Sequence, residues 1–129
     1  MPDLPDNEAG WRVRLTPEQF HILREKGTEA PFSGEYYNNW AKGNYLCAGC
    51  GTKLFTSTQK FASKCGWPSF YDAEDGRLVQ VEDTSHDMKR VEVLCSECGG
   101  HLGHVFEDGP PPTGQRYCIN SLALQHSTK

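Results

Sequence analysis

Cys47-Ala48-Gly49-Cys50-Gly51 and, with 44 residues between Cys50 and it, Cys95-Ser96-Glu97-Cys98-Gly99 decide how this chain is read. Two residues between thiols let one tight turn aim both sulfurs at a single point, and a glycine directly follows each pair. Two such knuckles complete an all-sulfur tetrahedral shell of the kind structural Zn²⁺ takes, with no open position for a substrate. One Zn²⁺ per chain is therefore expected on Cys47, Cys50, Cys95 and Cys98, tying two distant hairpins together. Four thiolates around the ion leave a formal local charge of about −2. The competing readings are inert buried cysteines or a redox pair, and two copies with matching glycines favour the metal.

Working outward, the rest of the chain explains why a metal is needed. Only 24 of 129 residues are Leu, Ile, Val or Phe, so the aliphatic core is thin. Six cysteines, three Trp and five Tyr compensate, because cross-links or a metal and large aromatic burial can hold a short chain. A length of 129 residues fits one domain. Seventeen acidic residues against 13 basic ones, with a pI near 5.7, argue against nucleic-acid binding. The segment Met1 to Glu8 lacks the basic and apolar regions of a signal peptide, and no apolar run approaches the ~18 residues of a membrane span. A soluble, cytoplasmic, monomeric protein without membrane or nucleic-acid partners is expected, and in that reducing compartment free cysteines serve metals or catalysis rather than disulfides.

Residues 1–10 are polar and Pro-bearing and read as a loose arm, leaving residues 11–129 as a single domain. Thr16-Pro17-Glu18-Gln19 offers a capping hydroxyl, a proline at the first helical position and a Gln three residues after the cap, which predicts a helix over 17–26 stopped by Gly27. From Gly43 the texture changes to short segments split by Gly, Asp and Ser. Strands are predicted at 45–46, 54–56, 69–71, 78–81, 88–94, 105–106 and 117–124, with Val91 and Val93 alternating around Glu92. The expected fold is mainly β, an antiparallel meander behind a helical N-terminal region, and three prolines stiffen the loop Gly109 to Gly114.

Two thiols remain outside the knuckles. Cys118 lies in Arg116-Tyr117-Cys118-Ile119-Asn120, where strand alternation places Arg116, Cys118 and Asn120 on one face. A guanidinium two residues from a thiol favours the nucleophilic thiolate. Cys65 lies in the Gly- and Pro-bearing loop Cys65-Gly66-Trp67-Pro68-Ser69-Phe70. One activated thiol and one on a loop look like an attacking and a resolving pair, although either alone also reads as an inert buried cysteine. His101-Leu102-Gly103-His104 leaves three readings open: acid chemistry near neutral pH, metal ligation, or ordinary packing.

Together these segments resemble the methionine-R-sulfoxide reductase B (MsrB) family. The resemblance is carried by Gly43 to Cys50, Lys53 to Phe55, Lys60-Phe61, Cys65 to Phe70, Met88 to Val93, Cys95 to Cys98, His101 to Phe106, Asp108-Gly109 and Gly114 to Ser121, and it spans residues 12–124. It implies two antiparallel β-sheets of the MsrB/Mss4-like β-tent type, a short helical N-terminal region, a structural Cys₄ zinc site and reduction of methionine (R)-sulfoxide, free or in proteins, as a repair of oxidative damage. Residue by residue, it implies Cys118 as nucleophile and Cys65 as resolving cysteine. Trp67 matches the indole that packs on the substrate methyl. His101, His104, Asn120 and Arg116 match polar groups around the sulfoxide oxygen and the nucleophile, and Phe106 a nearby pocket aromatic. Three positions depart from the pattern: Asp87 where glycine is usual, Ala62-Ser63-Lys64 in place of Asp-Ser-Gly, and His126 where phenylalanine is common.

The implied chemistry requires these residue types. A sulfoxide sulfur resists thiolate attack until its oxygen is protonated, which calls for a donor such as His104 or His101. Methionine leaves, Cys118 becomes a sulfenic acid, and Cys65 condenses with it to a disulfide that an external dithiol, thioredoxin, reduces. Two other readings are a zinc-ribbon binding module, which leaves Cys65, Cys118 and the histidines unexplained, and another thiol enzyme of the same architecture acting on a different oxidised sulfur.

Overall fold

A computed structural model describes residues 7–37, 39–63, 65–74, 76–84 and 89–128. The departures at Lys64 and Asp87, and the start of the strand predicted at Met88, lie outside these residues.

Two short helices open the described chain. Helix α1, Glu8–Arg14, begins inside the stretch expected as an arm: the Asn7 side chain accepts the Gly10 N–H at 2.8 Å, and Glu8 pairs with Arg12 one turn on. Helix α2, Pro17–Glu25, carries the full capping box of Thr16 and Gln19. Its left-handed stop is Lys26 at φ 58°, one residue before the glycine expected to provide it. Trp11, Phe20, Ile22 and Leu23 turn inward from the two helices.

The described residues then form eight strands: β1 Asn44–Cys47, β2 Lys53–Thr56, β3 Ser69–Phe70, β4 Leu78–Asp83, β5 Arg90–Cys95, β6 His101–Phe106, β7 Arg116–Ile119 and β8 Leu124–Ser127. They make two antiparallel sheets, β2-β1-β8 and β3-β7-β6-β5-β4. Only β4 to β7 follow the expected meander. β8 returns to pair with β1, and β3 lies beside β7, so the chain closes on itself instead of running out along one sheet. The segment predicted as one strand over 117–124 is interrupted by a 3₁₀ turn at Ser121–Ala123, which switches the chain from one sheet to the other. The strand predicted at 105–106 reaches back to His101 and carries both histidines.

Aromatic rings fill the space that few aliphatics could. Phe55 stacks on Phe70 at 4.2 Å between centroids, Tyr45 meets Phe70 edge-on at 5.2 Å and Phe55 meets Tyr117 at 5.9 Å. Each contact joins the three-stranded sheet to the five-stranded one, and such pairs contribute about 0.5–1.5 kcal/mol apiece beyond their area. Leu54, Leu102, Ile119 and Val93, all fully buried, close the core around them.

Candidate functional site

The β1–β2 and β5–β6 connections are the two knuckles, and they fold alike. The Gly51 N–H donates to the Cys47 carbonyl at 2.8 Å and the Gly99 N–H to the Cys95 carbonyl at 2.9 Å, with φ +82° and +72° at the two glycines. The four sulfurs of Cys47, Cys50, Cys95 and Cys98 lie within 4.8 Å of one another, with Cys47–Cys98 and Cys50–Cys95 both at 3.6 Å. A tetrahedron with metal–sulfur bonds of about 2.3 Å has edges of about 3.8 Å, so the cluster fits a tetrathiolate metal ion. Two helical arginines back it: Arg14 Nε donates to the Gly49 carbonyl at 2.6 Å and Arg24 Nη2 to the Cys98 carbonyl at 2.9 Å. These cations sit where an anionic cluster needs them.

Of the second cysteine pair, Cys118 sits on β7 of the five-stranded sheet and Cys65 on the loop before β3. Residues facing one another across an antiparallel ladder project from the same side of the sheet. Ser69 faces Cys118, Cys118 faces His104, and His104 faces Glu92, so four polar side chains form one row across β3, β7, β6 and β5. In the adjoining row Arg116 faces Phe106, and Arg90 faces Asp83. Strand alternation thus accounts for the shared face of Arg116, Cys118 and Asn120.

A cleft of about 280 Å³ opens over these rows, lined by Cys65, Trp67, His104, Phe106, Arg116, Cys118 and Asn120 with Thr28, Arg90 and Gly103. Cys65 reaches it from its loop, and its Sγ lies 2.8 Å from Cys118 Sγ. Arg116 Nη1 donates to Cys118 Sγ at 3.2 Å, while Asp108 holds the same guanidinium through two bonds of 2.8 and 3.1 Å. The guanidinium also rests on the Phe106 ring at 4.5 Å. At this spacing the two thiols titrate as a unit. The Cys118 thiol donates to Cys65 and pulls it down to about 4; Cys65 and burial push Cys118 up, against the downward pull of Arg116 and Ser69. While the sulfurs touch, the two thiols share one readily lost proton, and Arg116 favours the charge on Cys118 once the pair separates.

The remaining candidates divide. His104 lines the cleft, and its Nε2 donates to Asp83 Oδ2 at 2.9 Å, leaving Nδ1 for a ligand. His101 does not line it. It is buried behind His104 with Nδ1 2.7 Å from Glu92 Oε2, and burial holds it below its ordinary pKa against the pull of Glu92. Neither histidine belongs to the four-cysteine cluster, the group among the described residues whose ligand atoms converge as a metal site. Asn120 accepts the Glu29 N–H at 3.0 Å and donates to the Leu102 carbonyl at 3.0 Å, keeping one amide hydrogen spare. The Trp67 indole donates to the Glu29 carbonyl at 3.0 Å, so the backbone of one residue of the N-terminal segment fixes both side chains. Sequence reasoning singled out neither of the carboxylates Asp83 and Glu92, nor Glu29, whose backbone holds Asn120 and Trp67. Only their register or long-range contacts reveal them, although Glu92 was visible as a polar break between Val91 and Val93.

Comparison with known proteins finds a family model, relatives and a solved structure similar to this chain. Residues 15–128 match the SelR domain. A peptide methionine sulfoxide reductase MsrB of Methanosarcina mazei is 62% identical over 92% of this chain and 85% of its own. A protein of the same name from Thiobacillus denitrificans is 56% identical over 98% of this chain and 97% of its own. Among solved structures, the Mis18 'Yippee-like' domain superposes with a TM-score of 0.54 at 18% identity, covering 67% of this chain and 96% of that one, a likeness of fold alone.

Proposed function

Because the chain belongs to the SelR-domain family of MsrB peptide methionine sulfoxide reductases, we propose that it reduces the R epimer of methionine sulfoxide through Cys118 and Cys65. The observation that carries this reading is the 2.8 Å approach of these two sulfurs inside a cleft that also holds His104, Trp67 and Arg116. Cys118 sits on a strand fixed on both sides by ladder pairing, and Arg116 touches its sulfur, which suits a nucleophile. Cys65 sits on a loop, which suits the thiol that follows.

In the first step the Cys118 thiolate attacks the sulfoxide sulfur while His104 Nδ1 protonates the oxygen. His104 takes this role over His101 because it lines the cleft and His101 does not. The oxygen passes to Cys118 as a sulfenic acid and methionine leaves. The spare Asn120 amide hydrogen orients the oxygen, and the Trp67 and Phe106 rings wall the side that receives the methyl group; that placement of methyl against oxygen selects one epimer. Cys65 then displaces water from the sulfenic acid, and a thioredoxin-type dithiol reduces the disulfide. Zn²⁺ on Cys47, Cys50, Cys95 and Cys98 supplies structural cross-linking and takes no part in the reaction.

The test is NADPH oxidation coupled through thioredoxin and its reductase. Turnover with the R-sulfoxide and little with the S epimer supports the reading, and equal rates on both remove the stereochemical assignment. Cys118→Ser abolishes reduction. Cys65→Ser still converts about one equivalent of substrate per enzyme while losing thioredoxin-driven turnover.

A further inference from the structure

Ser69 is 1% exposed, faces Cys118 across the β3–β7 ladder, and places its hydroxyl 3.2 Å from Cys65 Sγ. The same hydroxyl donates to the Trp67 carbonyl at 3.1 Å, and Cys65 Sγ lies 3.4 Å from that carbonyl. Sulfur, hydroxyl and carbonyl therefore form a closed triangle with two hydrogens and a carbonyl that only accepts. When Cys65 is a thiol, it donates within the triangle and Ser69 donates to Trp67. When Cys65 is a thiolate, the triangle retains one hydrogen, that of Ser69, and it can turn to the sulfur.

This matters at one moment of the reaction. In the resting pair, the principal group stabilising a Cys65 thiolate is the Cys118 thiol. Once Cys118 has become a sulfenic acid that thiol hydrogen no longer exists, yet Cys65 must then ionise to attack. Ser63 is a lesser influence on Cys65 than Ser69, and its Oγ meets the Cys65 backbone N–H at 3.3 Å. We propose that Ser69 is a catalytic residue of the disulfide-forming step, its hydroxyl turning from the Trp67 carbonyl to Cys65 Sγ as Cys65 loses its proton. The step balances as one S–S bond formed and one S–O bond broken. The Cys65 proton joins the departing hydroxide as water, Cys65 sulfur is oxidised, and Cys118 sulfur is reduced from the sulfenic level.

The proposal rests on the two-thiol reaction above, and the experiment separates the two. Reduced protein is mixed with one equivalent of R-sulfoxide without external dithiol, quenched over time and pH, and analysed for methionine and for the Cys65–Cys118 disulfide by peptide mass spectrometry. Wild-type protein yielding no methionine or no such disulfide would defeat the underlying reaction and leave Ser69 without a role. Given that reaction, Ser69→Thr and Ser69→Val are compared, because they share a shape and differ in the hydroxyl. The ratio of disulfide formation to methionine formation is expected to fall about tenfold or more in Ser69→Val, with its pH midpoint raised, and to recover in Ser69→Thr. Equal ratios and pH midpoints in the two variants would overturn the proposal. Should Val fail to fold, Ser69→Ala against wild type decides by the same ratio and midpoint.

Discussion

Cys65 and Cys118 stand 53 positions apart in the chain, and their sulfurs meet at 2.8 Å. The contact joins a loop thiol to a strand thiol without a covalent bond, so the pair stores one easily lost proton. The hydrogen bond from Cys118 brings Cys65 down to about 4. Its thiolate therefore persists as pH falls well below the ordinary thiol range. Reduced, metal-loaded protein is expected to react with one equivalent of iodoacetamide at pH 6, the label falling on Cys65 or Cys118 peptides alone. Cys118→Val removes the donor to Cys65 altogether and moves Cys65 labelling to higher pH. Labelling that begins only near the free-thiol value of about 8.5 would contradict the shared proton.

The two histidines are expected to separate by experiment. His104→Gln removes the donor that lines the cleft and lowers single-turnover methionine formation by about 10² or more, the usual size of a lost general acid. Asp83→Asn leaves the imidazole in place but removes the carboxylate that takes its Nε2–H, and a smaller loss in the same step follows. His101→Gln changes that rate least. A larger rate loss in the His101 variant than in the His104 variant would reverse the assignment of the acid.

Metal removal tests the cluster on the far hairpins. Four sulfurs at tetrahedral spacing join the β1–β2 hairpin of one sheet to the β5–β6 hairpin of the other. Chelation, or Cys98→Ser, is expected to lower the melting temperature by more than about 10 °C, because a few kcal/mol corresponds to shifts of that order in a domain of this size. Metal analysis of the untreated protein should return one zinc per chain. An unchanged melt after complete metal loss would show that the aromatic core alone carries the fold.

The sequence made some of this legible and hid the rest for identifiable reasons. Knuckles, capping box and strand texture are local, and they appear where the residues predict them. The face shared by Arg116, Cys118 and Asn120 follows from alternation within one strand. What sequence could not show is pairing between distant strands. Asp83 takes the His104 Nε2–H, Glu92 bonds His101 although it faces His104, and Glu29 bridges Asn120 and Trp67 from the N-terminal segment. The missed helix α1 has a different cause. Its seven residues are too short for a periodic signal, and it is held by tertiary contact through buried Trp11 and through Arg14 on the Gly49 carbonyl.

The aromatic core gives a stability prediction. Phe70 is fully buried, stacks on Phe55 and meets Tyr45. Phe70→Ala is expected to cost about 3–5 kcal/mol, and Phe70→Leu less, as measured by denaturant midpoint at constant m. Because β3 also positions Ser69, the Ala variant should lose turnover together with stability.

His101 offers a pH test that does not touch the chemistry. Burial is the larger influence on it and holds its folded-state pKa below the ordinary 6.5, with Glu92 opposing. As pH falls through about 6.5 the unfolded chain takes up a proton that the folded protein refuses, so stability is full above that value and declines below it. One such group changes unfolding free energy by at most about 1.4 kcal/mol per pH unit. Wild-type protein is expected to lose melting temperature between pH 7 and pH 5, and His101→Gln, which keeps a polar side chain without a titrating ring, should show a flatter profile over that interval. If the two profiles run parallel, His101 takes up its proton as readily folded as unfolded; if wild-type protein instead gains stability relative to His101→Gln as pH falls from 7, the buried imidazole already carries its proton in the folded state, and the His101–Glu92 contact at 2.7 Å is an ion pair.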